Sequence, residues 1–151
     1  VVISGKVSEA KDDLIFGSTT ARRVGERWRP DVAAARADLE RSAQIDATFT
    51  GEVSLVELTT LETLPCLVVN ASLSGRLNGM PSLPGNATFV NGTLDVTHSG
   101  AYPTDGTSRP LRSAFTMSLE TTFTVRAANA PAQTFRMRVR EGRTETVSTA
   151  R

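Results

Sequence analysis

Between Leu111 and Glu141 the chain alternates with a strict period of two, and that alternation restricts the fold more than any other feature. Phe115, Met117, Leu119, Phe123 and Val125 are interleaved with Ser118, Glu120, Thr122 and Thr124. Beyond a loop holding Asn129 and Pro131, Phe135, Met137 and Val139 are interleaved with Arg136, Arg138 and Arg140. Successive strand residues point to opposite faces, so each half specifies a strand with one buried and one wet face. Antiparallel pairing about the loop sets Val125 opposite Phe135, Phe123 opposite Met137 and Glu120 opposite Arg140. Apolar partners then share one face and opposite charges the other.

A second pair of segments has the same character. Phe49, Val53 and Leu55 mark one face of 47–58, and Leu67, Val69, Ala71 and Leu73 one face of 64–77. A turn around Leu61 sets Leu55 opposite Leu67, Val53 opposite Val69 and Phe49 opposite Leu73. Val1 to Val7 and Leu14 to Phe16 read as a first strand or hairpin. Thr88–Val90 and Thr93–His98 follow a prolyl loop at 79–85, with Asn91-Gly92 as a tight turn or a bulge. Glu141-Gly142-Arg143 reads as a turn into a last short strand, 144–148.

One helix interrupts this pattern. Pro30 and Asp31 form its entry, since aspartate can accept from free amide groups of a first helical turn. Val32, Ala35 and Leu39 mark a narrow apolar face, and Arg36, Asp38, Glu40 and Arg41 are spaced to form ion pairs opposite. The chain is thus expected to be a single mainly β domain over 1–151. About seven to nine strands form a strongly curved antiparallel sheet, a half-barrel, around one short N-terminal helix. A β-sandwich is the alternative, but it leaves the helix no natural place.

Composition excludes several classes. Seventeen Lys plus Arg against 16 Asp plus Glu leave a formal charge of +1, which argues against a nucleic-acid binder. No apolar run approaches the roughly 18 residues needed to span a bilayer. The single cysteine, Cys66, rules out an internal disulfide or thiolate zinc site, and its apolar flanks predict a buried structural thiol. Only two lysines accompany the arginines, and alanine is abundant, a bias that points to a GC-rich bacterial gene.

Nothing catalytic stands out. His98 is the only histidine, and Asp95, an odd number of residues away, faces the other side of a strand. There is no glycine-flanked nucleophile serine, no convergent carboxylate pair and no phosphate-cradling glycine cluster. No catalytic residue, metal ligand or cofactor is therefore assigned. Asn70, Asn86 and Asn91 open three formal glycosylation sequons.

Two sets of residues are candidates for binding. Arg136, Arg138 and Arg140 form a cationic stripe suited to an acidic partner, anionic lipid head groups or polysaccharide, and equally to a solvated face partly neutralised by Glu120. Trp28, the only tryptophan, is either a partner anchor or a plug where the helix meets the sheet. Phe49, Leu73, Phe115, Met117, Phe123, Phe135 and Met137 exceed what one Ala-rich helix obviously covers, and are the candidate lining for a lipid or other apolar ligand.

The entry Val24-Gly25-Glu26-Arg27-Trp28-Arg29-Pro30-Asp31, its helix and the strands around Cys66 resemble a group of uncharacterised secreted bacterial proteins. There a G-x-x-W-x-P-D-like entry precedes a short helix and a long antiparallel meander; Arg109-Pro110-Leu111 entering a long strand also fits. The resemblance spans Val24 to Ser148, and the short N-terminal portion departs from it. It implies a cell-envelope setting, periplasmic, outer-membrane-associated or secreted, and a curved β half-barrel, and it supplies no catalytic residues. Because the chain starts at Val1, it reads as a mature or excised segment, its signal peptide or lipid anchor lying upstream. The function expected is a non-catalytic structural or protein-binding module of the bacterial envelope, a subunit of a larger assembly with another envelope protein as partner. The alternative is a carrier holding a lipid in the hollow of the sheet.

Overall fold

The computed structural model describes residues 14–81, 83–105 and 109–148. The expected first strand at Val1 to Val7 lies outside them. Strand β1 (Arg27–Trp28) leads into helix α1 (Val32–Ala43), followed by β2 (Asp46–Leu61), β3 (Leu64–Gly79), β4 (Ala87–Pro103), β5 (Arg112–Val125) and β6 (Gln133–Thr146). The six strands form one sheet in the order β1-β2-β3-β4-β5-β6, every neighbouring pair antiparallel.

This mainly antiparallel β fold is as expected, but the sheet is neither closed nor strongly curled, and among the described residues no second sheet faces it. The half-barrel and the sandwich are both corrected to an open meander. Strands are fewer and longer because two apparent breaks lie inside them. Asn91-Gly92 follows a bulge between Phe89 and Asn91 within β4, and Gly142 pairs with Thr116 in an unbroken β6. Among the described residues, register irregularities occur between Asp46/Ala47, Leu55/Glu57 and Phe89/Asn91. Bulges bend a sheet locally, and strong coiling needs them repeated from strand to strand.

Both hairpins keep the expected faces in a different register. Glu62 (φ 49°) and Thr63 (φ 70°) make a two-residue turn between Leu61 and Leu64, as a type I′ hairpin requires. The bulge at Val56 then sets Leu55 across from Val69, Val53 from Ala71 and Phe49 from Gly75. In β5–β6, Phe123 faces Phe135, Thr121 faces Met137 and Glu120 faces Arg138. Each partner is displaced by two residues from expectation, and an even displacement leaves every side chain on its original face.

The capped helix forms where the sequence places it. Asp31 Oδ1 accepts from the Ala34 amide at 2.9 Å, and Gln44, at φ 54°, ends the helix with its amide donating to Glu40 O. Ala34, Ala35, Leu39 and Ala43 meet the core, while Val32, expected on that face, remains 39% exposed at the first helical position. Arg36 pairs with Asp46 at 2.8 Å and so ties the helix to the start of β2. Asp31→Ala is expected to lower stability by about 1 kcal/mol, read from the urea midpoint, while Asp31→Asn retains most of it. Equal midpoints for all three proteins would show the cap to be idle.

Residues 14–16 are helical, correcting the strand expected there. Ile15 and Phe16 are both buried, and adjacent residues cannot both face inward on a regular strand. Cys66 is a free, fully buried thiol packed with Val68, Ala101, Leu61 and Leu111 in a small cluster on the face away from α1.

Candidate docking surface

The face toward α1 is best followed in rows across the strands. Phe49, Gly75, Leu94, Leu119 and Val139 form one row through β2 to β6. Phe49 is 8% exposed, Leu94 0%, Leu119 3% and Val139 40%, so cover is lost at the last strand. The cause is the placement of the covering elements. α1 and residues 14–16 pack over the β2–β4 side, and in β6 only Met137 is even half-buried.

The seven residues expected to line a ligand hollow therefore separate. Phe49 and Leu73 are core residues beneath the covering elements. Phe115, Met117, Phe123 and Met137 are half-buried, and Phe135 is 43% exposed. The Phe123 and Phe135 rings stack at 5.8 Å. Phe89 continues their row, and Val139 extends the strip along β6; both were missed as site residues. Phe89 precedes the bulge that changes the alternation of β4, which hides its face from a period-two reading.

Farther along β6 the same face turns charged, with Arg143 and Glu145 paired beside Glu141. Between this end and the covering elements lies a cleft of about 290 Å³, lined among others by Phe16, Leu39, Phe115, Met117, Glu141 and Arg143.

Trp28 is held within the fold. It pairs with Val53, its indole Nε1 donates to Phe16 O at 3.0 Å, and the Arg22 guanidinium lies 5.4 Å from the ring centroid. It thereby fastens residues 14–16 to the β1–β2 side of the sheet.

On the opposite face Glu120 joins two arginines. Its Oε1 accepts from Arg136, with Nε at 2.8 Å, and its Oε2 accepts from Arg138 Nη2 at 2.6 Å. Arg140 stands across from Ser118 and has no carboxylate partner among the described residues. Hydrogen bonds from Arg136 and then Arg138 hold the Glu120 carboxyl below its ordinary value of 4.5. A lowered carboxylate pKa contributes stability above the ordinary value, and that contribution is lost as pH falls through the folded one. The stability gap between the wild type and Glu120→Gln is accordingly expected to be widest near neutrality and to close as pH falls below 4.5, followed by melting temperature. A gap that stays constant into acid would contradict this origin.

His98 is 5% exposed, stacks on Phe16 at 4.8 Å and lies 2.9 Å by Nε2 from the Tyr102 hydroxyl. Asp95 lies on the other face and accepts from Ser74 Oγ. Among the described residues no group of three or more His, Cys, Asp or Glu is placed to hold a metal ion, and no helix is long and apolar enough to cross a membrane. Asn70, Asn86 and Asn91 are all exposed. Comparison with family models, curated proteins and solved structures finds no match for this chain.

Proposed function

We propose that the chain is a non-catalytic protein-binding module that accepts a strand of another protein along β6. The observation that carries this reading is the edge itself. β6 pairs with β5 without a register break from Gln133 to Thr146, contains no proline and, among the described residues, pairs with no other strand. Such an edge presents a row of free backbone donors and acceptors, and natural proteins ordinarily shorten, bulge, charge or cover it. Here the edge is charged but long and unbulged, with Phe135 and Val139 half open between the charges. Strand addition uses both features, backbone groups for affinity and side chains for selection. The resemblance of the Val24–Asp31 entry to secreted bacterial proteins supplies the setting, a subunit of a larger envelope assembly with another envelope protein as partner.

Native mass spectrometry of the protein isolated gently from its source tests this reading, run beside a Phe135→Asp variant. A stoichiometric protein complex is expected for the wild type and its loss for the variant. Bare monomer in both would overturn the proposal.

A carrier of an apolar ligand is the second reading, and the cleft beside Phe115 and Met117 favours it. Its volume of about 290 Å³ lies at the small end for a ligand site. A lipid-sized mass retained in the same spectrum would support it over strand binding.

A further inference from the structure

Resting on the strand-binding reading, we infer that the segment accepted by β6 belongs to a different protein and alternates acidic with apolar residues. In a paired strand, residues directly opposite one another point to the same face. A segment lying along 135–140 therefore meets Arg136, Arg138 and Arg140 on one face and Phe135, Met137 and Val139 on the other. Across β5 and β6 the three guanidinium groups of the stripe meet the one carboxylate of Glu120, which is shared between Arg136 and Arg138, while Asp95 lies in the row of Arg140 one strand further in, beyond Ser118, and accepts from Ser74. Like charges set directly opposite are destabilising and opposite charges stabilising, so the incoming residues on that face are carboxylates. The apolar face rewards burial, since Phe135 and Val139 remain 43% and 40% exposed in the isolated chain.

A second copy of β6 fits poorly. Two-fold pairing about Val139 sets Arg138 across from Arg140, and pairing about Met137 sets Arg136 across from Arg138. Pairing about Arg138 or Arg140 sets that arginine across from its own copy. Moving the centre to Glu141 sets that carboxylate against itself and lays Met137 on Glu145. At Gly142 the like-charge contacts disappear, but Met137 and Phe135 then extend past the end of β6 at Thr146. Pairing about Phe135 brings no arginines together, but it leaves Val139 beyond the start of β6 at Gln133, so every register that covers the whole strip from Phe135 to Val139 brings like charges together. The stripe selects against self-association while it selects for an acidic strand, two sides of one specificity.

The test uses the whole chain and three short peptides that alternate valine with glutamate, glutamine or lysine. Binding is measured by anisotropy and located by amide chemical-shift changes. The glutamate peptide is expected to shift β6 amides and to bind at least about tenfold more tightly than the lysine peptide, with the margin shrinking as salt rises. Arg140→Glu, which breaks no ion pair among the described residues, is expected to reduce or reverse that preference. Equal binding of all three peptides at β6 overturns the acidic-partner inference and leaves strand binding intact. Absence of any β6 shift with every peptide overturns strand binding itself. A concentration-dependent dimer whose formation perturbs β6 amides would make a second copy the occupant and overturn the inference by another route.

Discussion

Replacing Phe49 with alanine is expected to cost about 3–5 kcal/mol of stability, near the upper limit for a single truncation. Phe49 is 8% exposed, and its ring lies directly over Gly75. A Cβ on Gly75 would fall 2.7 Å from Phe49 Cδ1 and Cε1, so the ring occupies the volume that a side chain there would need. Once the ring is removed, no side chain on Gly75 is available to refill the space, and a cavity remains beside Leu94 in the same row. The measurement is the urea midpoint at unchanged slope, the slope reporting that the unfolded state is the same. A loss under about 1 kcal/mol would place Phe49 in an open hollow, where an apolar ligand would be its natural neighbour.

Gly51→Ala carries the second large effect, about 1–3 kcal/mol. The added Cβ would lie 2.5 Å from the backbone oxygen of Ser72, 2.7 Å from Leu73 Cδ2 and 3.2 Å from Pro30 Cγ. Leu73 can turn aside, but the Ser72 carbonyl belongs to the β2–β3 ladder and cannot move without the strand. Gly51 also seats Pro30, so the substitution pushes against the entry to α1. Gly79→Ala is the control, because nothing lies within 4 Å of its added Cβ. Equal melting temperatures for the two variants would contradict the steric account.

The strands were legible because alternation is a local property, and the helix because Asp31 announces its first turn. Register was not. At both hairpins the centre of the turn is shifted, from Leu61 to Glu62-Thr63 and, within the expected loop, from Ala130 to Asn129 (φ 61°), and a turn's position depends on which residues tolerate left-handed backbone. The bulge at Val56 then alters the count again. The arginine stripe was visible as a pattern, yet its pairing with Glu120 changed with the register. Least visible was which apolar residues lie open. Phe49 and Phe135 sit in equivalent alternating patterns, and only the third-dimensional position of α1 and residues 14–16 separates a core residue from a half-exposed one.

The sequential strand order has a consequence for how the molecule opens. In a meander each strand is held in the sheet by its neighbours along the chain, so the last strand can leave by breaking a single ladder, whereas β4 cannot leave without breaking two. With little buried side-chain surface to retain it, β6 is expected to exchange its amide hydrogens fastest among the long strands, and β3 and β4 slowest. Uniform protection across the sheet would contradict this order. A partner strand added to β6 would give it a second ladder, converting the most readily detached strand into an interior one and slowing exchange there first.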